Sequence, residues 1–355
     1  LLGPKIAEPM LDTPQIRVAI VGCGAMTESV HLPALRLVPN VRVAVLVDTN
    51  LARARALAER VDVPSATVDY REAIGAVDAA IVAVPHHFHA PITIDLLRGG
   101  VHVLVEKPMA LNTRECDAMI EAADSAKRLL AVGLLRRFND SLRFTKDLLD
   151  AGALGTITSV DIREGSIYRW NVTSADMFRR DVGGVLADIG SHVIDLLLWW
   201  FGDCQVLQYA DDAMGGVEAN CNLVLRLPIG VDAKVELSRT RNLRCTAMLH
   251  GTQGKLEVGT KTDSAVRLAF RGQHASLGGR PTSSGRQPPR TLVDLCTREL
   301  QDFVSAISSG DAPLVSGREG RRSVALAEAC YAMRQPLLYP WEAPLAARRT
   351  EAVEA

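Results

Sequence analysis

Apolar residues in the first third of the chain gather into short, predominantly apolar runs, at Ile16–Val21, Val41–Val47, 77–84, 101–105 and 129–132. Runs that are short and mainly apolar rather than alternating fit strands covered on both faces, as in a parallel sheet between helices. Helix-spaced segments fall between them, at 51–60, 90–98 and 113–125. Past residue 156 the pattern changes. Leu223-Val224-Leu225-Arg226-Leu227 and Val231-Asp232-Ala233-Lys234-Val235-Glu236-Leu237 alternate apolar with polar. That alternation predicts a sheet with one covered face, antiparallel or mixed, whose other face meets solvent or a second subunit. Further strands are expected at 158–167, 205–209, 243–250 and 255–259, with helices at 139–150, 292–308 and 319–334. Residues 272–290, rich in Gly, Ser, Pro and Arg, predict a mobile loop.

The turn after the first apolar run reads Gly22-Cys23-Gly24-Ala25-Met26-Thr27, and the second run ends on Asp48. Strand, glycine turn, helix, strand and terminal acid form the dinucleotide-binding order. Gly22 permits the tight turn, and Gly24 leaves room for a pyrophosphate at the helix N-terminus. Thr27 replaces the third glycine, which predicts a helix held slightly further from the sheet. Asp48 suits an adenosine ribose 2′-hydroxyl and repels a 2′-phosphate, so NAD is favoured over NADP. The expected division is a Rossmann domain over 15–135 and an α+β domain over 136–337 for substrate binding and oligomerisation. The final helix is expected to pack back toward the first domain.

Composition narrows the function classes. A chain of 355 residues exceeds one ordinary core, and 48% apolar with 23% charged residues is typical of globular domains. A net charge of −1 gives no electrostatic case for nucleic acid or an anionic membrane, and no apolar run is long enough to span a bilayer. Seven scattered cysteines without a Cys-x-x-Cys pair argue for a reducing compartment and against a cysteine zinc site. Residues 1–15 lack the features of a secretory signal and read as a loose tail, so a cytoplasmic protein is expected.

Candidate chemistry lies where strands end. Pro85 closes one run and is followed by His86, His87 and His89; without a Cys, Asp or Glu partner these read as a cofactor-side loop, not a metal site. Lys107, between Glu106 and Pro108, follows another run. The expected cofactor contacts are thus Gly22, Gly24, Ala25, Met26, Asp48, Pro85, His89, Glu106 and Lys107. On a helix, Asp188 and His192 share a face, so that the carboxylate orients the imidazole as a proton acceptor. The same spacing also suits a capping Asp188 and a packing His192. Asp195 reads as structural. Arg136, Arg137, Arg163, Tyr168, Arg169 and Trp170 are candidate substrate contacts.

Three motifs in this order, Gly22-Cys23-Gly24-Ala25-Met26-Thr27, Glu106-Lys107-Pro108 and Asp188-Ile189-Gly190-Ser191-His192, resemble the sugar and cyclitol oxidoreductases of the glucose-fructose oxidoreductase and myo-inositol dehydrogenase family (Gfo/Idh/MocA). Gly317-Arg318-Glu319-Gly320-Arg321-Arg322 before a helix is similar to that family's ending. The resemblance implies a large open sheet in the second domain, homodimers or homotetramers formed through it, and Lys107, Asp188 and His192 beside the nicotinamide. It implies NAD(P)-dependent interconversion of a secondary alcohol and a ketone on a sugar, cyclitol or nucleotide-activated sugar. Sequence leaves the roles of Lys107 and His192 interchangeable, and leaves two alternatives open: a redox-neutral NAD-dependent glycosidase and a non-catalytic NAD-binding sugar sensor.

Overall fold

The structure, a computed structural model, describes residues 15–167, 179–180, 182–262, 264–272, 276–281 and 289–338. The first unit runs β1 (Ile16–Val21), α1 (Leu32–Leu35), β2 (Val41–Val47), α2 (Leu51–Val61), β3 (Ala66–Thr67), β4 (Ala79–Val82), α3 (His89–Arg98), β5 (His102–Val105), α4 (Thr113–Ala126) and β6 (Leu130–Val132). Its six strands are ordered β3-β2-β1-β4-β5-β6, all parallel, the Rossmann arrangement. Period-two alternation sorts the apolar runs onto opposite faces. Val18, Ile20, Leu46 and Ile81 face α1 and α2, while Ala19, Val21, Val45, Val82 and Val103 face α3 and α4.

Asn50 and Asn112 start α2 and α4 by accepting from Arg53 N and Glu115 N, and left-handed Asp62 and Lys127 end them. The helix expected after the glycine turn forms, its first part a π-helical turn, Thr27–His31, that runs on into the short α1. Thr27 is fully buried and its hydroxyl donates to the Gly22 carbonyl at 2.5 Å, tying helix to turn.

The second unit comprises α5 (Asp140–Asp150), β7 (Ile157–Gly165), α6 (Ser191–Phe201), β8 (Gln205–Asp211), β9 (Asn220–Arg226), β10 (Asp232–Ser238), β11 (Thr246–Gly251), β12 (Gly254–Gly259), β13 (Val266–Phe270) and β14 (Ser276–Gly279). The chain then returns through α7 (Leu292–Ser309), α8 (Gly317–Ala332) and β15 (Arg334–Pro336). The nine strands run β14-β13-β12-β11-β7-β10-β9-β8-β15 in one mixed, mostly antiparallel sheet. β7 and β10 are parallel neighbours at its centre. Its covered face, including Ile162, Leu223, Val235, Leu237 and Leu249, packs on Val193, Leu197 and Trp200 of α6.

β14 lies inside the segment expected to be a loop, and β15 past the expected last helix. Both are exposed edge strands joined by backbone pairing, which leaves no periodic side-chain signal. The rest of that predicted loop at 273–275 and 282–288 lies outside the described residues, as do the N-terminal tail at 1–14 and Tyr168, Arg169 and Trp170.

α7 starts at a capping box formed by Thr291 and Asp294. It buries Cys296, Leu300 and Phe303 among residues of the first sheet. α8 packs between the units, with Val324 in the first core and Leu326 and Cys330 in the second. Among the described residues no helix is long and apolar enough to cross a membrane.

Candidate active site

The first sheet reverses its strand order between β1 and β4, and the chain ends there open a crevice where such sheets bind ligands. Gly22 takes φ +102°, and a Cβ there would collide with the Ala83 carbonyl. At Gly24 an added Cβ meets nothing within 4 Å, so the turn presents open space beside the helix start. The Asp48 carboxylate ends β2 and accepts from Cys23 N at 3.0 Å and Asn50 N at 2.8 Å, with Arg53 at 3.5 Å. Open space over Gly24 and an acid at the adenosine position fit a dinucleotide.

Beyond the turn, a cleft of about 660 Å³ is lined by Met26, Val84, His86, Lys107, Arg136, Asp188, His192 and Arg239, among others. Lys107 stands just past β5, and a buried base holds it there. Glu106 Oε1 lies 2.9 Å from His31 Nε2, and its other oxygen accepts from Lys107 N at 3.2 Å. Burial pushes the Glu106 carboxyl up, but His31 and the Lys107 charge outweigh it and hold it below its ordinary range.

Lys107 Nζ donates to Asp188 Oδ1 at 2.6 Å and to the Asp188 carbonyl at 3.3 Å. Asp188 Oδ2 accepts from Arg239 Nη2 at 2.9 Å. Burial alone would raise Asp188, yet the two cations pull it well below the usual carboxylate range.

The expected Asp188–imidazole bond is absent. Asp188 sits on a π-helical turn, Leu186–Gly190, ahead of α6, and its oxygens go to full cations in preference to a neutral ring. Buried His192 Nδ1 has no hydrogen-bond partner among the described residues. Burial, then the charges of Arg136 and Lys107, depress His192 well below its ordinary value, so the imidazole is neutral. His86 is lowered to about 3, by burial first and then by His89 and Lys107.

The turn carrying Asp188 is anchored at its start. Buried Glu218 places Oε1 2.9 Å from Gly184 N, 3.2 Å from Leu186 N and 2.7 Å from the Tyr331 hydroxyl of α8. A carboxylate at a helix N-terminus is electrostatically favourable.

Several expected contacts have other duties. Arg137 is 2% exposed and donates to Asp195 at 2.6 Å and Glu319 at 2.8 Å, so it is a buried structural cation and not a cleft residue. Asp195, its partner, is structural as read. Arg163 points from the exposed sheet face toward Asp161 at 3.1 Å and is also outside the cleft. The His89 ring is fully buried with both nitrogens 2.9 Å from carbonyls, of Val84 and Pro108; it faces backbone on both sides and has no nitrogen left for a cofactor. Pro85 is the extended residue that leads into the histidine turn. Arg136 lies in the cleft, clamped by Glu164 at 2.5 and 2.7 Å.

Arg239 and Glu218 went unread in the sequence. The usable signal for Arg239 was its place directly after β10. Because β10 runs parallel to β7, both strands deliver their C-terminal ends, Arg239 and Ser166, to the cleft.

Comparison with known proteins places the chain among oxidoreductases. The chain is 24% identical over 331 residues to inositol 2-dehydrogenase of Rhizobium meliloti, covering 88% of this chain and 95% of that one. Aldose-aldose oxidoreductase from Caulobacter crescentus, solved with glycerol, superposes at TM-score 0.81 with 25% identity over 90% of this chain and 97% of its own. Levoglucosan dehydrogenase with NADH and levoglucosan superposes at 0.82 with 22% identity, covering 90% and 97% of the two chains, a likeness of fold. Residues 16–134 match the oxidoreductase family with an NAD-binding Rossmann fold, and residues 142–257 match the GFO/IDH/MocA C-terminal domain. With the glycine turn, the Glu106-Lys107-Pro108 strand end and the Asp188 turn facing one cleft, the chain belongs to the GFO/IDH/MocA family of NAD-binding oxidoreductases.

Proposed function

We propose that the protein interconverts a secondary alcohol and a ketone on a sugar, cyclitol or nucleotide-linked sugar, with NAD as the hydride carrier. The observation that carries this reading is the pairing, in one cleft, of a Lys107 ammonium held by Asp188 at 2.6 Å with a His192 imidazole kept neutral by its surroundings. Gly22, Gly24 and Asp48 would hold the dinucleotide, which when bound supplies the carbon that accepts hydride. His192, uncharged and free of any carboxylate bond, is the group able to take the hydroxyl proton. Lys107 donates to the reacting oxygen and offsets the negative charge that grows on it. Asp188 acts on Lys107, not on the imidazole, so the ion pair keeps the ammonium aimed at one point.

Asp48 supports a preference for NAD, because a 2′-phosphate there meets like charge; Arg53 offsets part of that repulsion. A homodimer or homotetramer through the outer face of the second sheet belongs to the same proposal. It is supported by the exposure of that broad face at Arg163, Asn222 and Lys234.

The test is absorbance at 340 nm after mixing the protein with NAD or NADP and D-glucose, myo-inositol, levoglucosan and nucleotide-linked sugars. NADH formation that falls about 10²–10⁴-fold in His192→Ala is the expected result. Cleavage of a glycoside without net NADH, or NAD binding with no turnover of any substrate, would overturn it.

A further inference from the structure

We propose that Arg239 is a positioning residue for the proposed alcohol–ketone chemistry, acting on Lys107 through Asp188; the inference rests on the dehydrogenase reading above. Asp188 has two oxygens and the structure gives one to each cation, Oδ1 to Lys107 at 2.6 Å and Oδ2 to Arg239 at 2.9 Å. A carboxylate held at one oxygen can turn about its Cβ–Cγ bond and carry its partner ammonium with it. Held at both, it cannot.

Arg239 suits this task because its own backbone is fixed. Its N–H donates to the Ala219 carbonyl at 2.8 Å, and the residue before it, Ser238, is fully buried. The Ser238 hydroxyl lies 2.6 Å from Asn220 Oδ1 and accepts from Arg241 N at 2.9 Å. The Arg239 side chain is 11% exposed and that of Asp188 34%, so the bond between them is partly shielded from solvent. The guanidinium therefore carries the position of the central sheet strand to the end of the first sheet, through a single carboxylate. A displacement of about 1 Å at a reacting group costs on the order of 10²-fold in rate, and this is the displacement the clamp prevents.

The test uses the full chain with whichever of D-glucose, myo-inositol or levoglucosan the wild type oxidises. Arg239→Met is expected to lower kcat about 10–100-fold, with KM for the polyol and the NAD dissociation constant nearly unchanged, and Arg239→Lys to recover part of the loss. In an Asp188→Asn background the Arg239→Met loss is expected to shrink, because the group through which it acts is already altered. A raised KM at constant kcat makes Arg239 a substrate contact and overturns the inference. So does a loss that persists in full in the Asp188→Asn background, or an unchanged kcat. If Arg239→Met does not fold, the kcat of Arg239→Lys and its Asp188→Asn double variant decide by the same criteria. Failure of the wild type on every polyol refutes the proposed function itself, whereas wild-type turnover that is indifferent to Arg239 refutes only this inference.

Discussion

Removing the Glu218 carboxylate tests whether the turn bearing Asp188 is held from below. Its Oε1 serves the amides of Gly184 and Leu186 and the hydroxyl of Tyr331, while Oε2 lies 3.5 Å from Arg334 Nη2. In Glu218→Ala the three donors to Oε1 lose their acceptor, and Arg334 loses a more distant ion-pair partner. A buried donor left without a partner costs about 1–3 kcal/mol, and with some water re-entering the space the sum is about 3–6 kcal/mol. Glu218→Gln keeps an oxygen that can occupy the Oε1 position, so all three bonds can survive as neutral ones. Charged acceptors bind about twice as strongly as neutral ones, which makes that loss about 1–3 kcal/mol. Urea unfolding of both variants gives the ranking, and NADH formation per folded molecule reports whether Asp188 and Lys107 have shifted with the turn. A Glu218→Ala protein within about 1 kcal/mol of wild type would refute the reasoning, because three buried donors cannot lose their acceptor so cheaply.

Arg137→Met leaves Asp195 buried without its counter-ion, so stability should fall by about 3–5 kcal/mol in a urea melt while the polyol KM of the folded fraction stays at the wild-type value. Gly24→Ala should fold with an unchanged Tm, since its Cβ meets no protein atom, yet weaken NAD binding at least about tenfold by filling the space over the turn; fluorescence titration with NADH reads this. Gly22→Ala should lose folded yield on expression, because its Cβ runs into a backbone carbonyl at positive φ. Glu299 is buried and its carboxyl is raised well above 4.5, by burial first and then by Glu106. A folded value above the unfolded one means stability is full below about pH 4.5 and is lost as pH rises toward the folded value, so Glu299→Gln should raise Tm at pH 8 and leave it unchanged at pH 4.

The sequence pattern carried five of the six strands of the first sheet, because those five are mainly apolar and covered on both faces; β3, two residues long, is too short to leave a run. The glycine turn, Asp48 and Lys107 were legible for a related reason: local backbone geometry puts them at strand ends. What escaped was long-range. Nothing in the spacing of Asp188 and His192 shows that two cations, one from β5 and one from the end of β10, compete for the carboxylate and win it. Arg137 looks like any surface arginine until α6 and α8 bring Asp195 and Glu319 to it. β14 and β15 are made by backbone pairing at sheet edges, which side chains do not announce.

α7 has a consequence for how the molecule is made. Cys296, Leu300 and Phe303 complete a layer whose other members, Val18, Ile20, Leu46 and Ile81, are synthesised far earlier. The nucleotide half therefore emerges from the ribosome with α1 and α2 on that flank but without α7, which follows only after β7 to β14 of the second sheet have been translated. A fragment ending near residue 135 would carry the glycine turn and Lys107 yet expose to aggregation the part of that flank that α7 covers. Dividing this enzyme into separately produced halves would require residues 289–338 to travel with the first, either supplied in trans or joined to it by circular permutation.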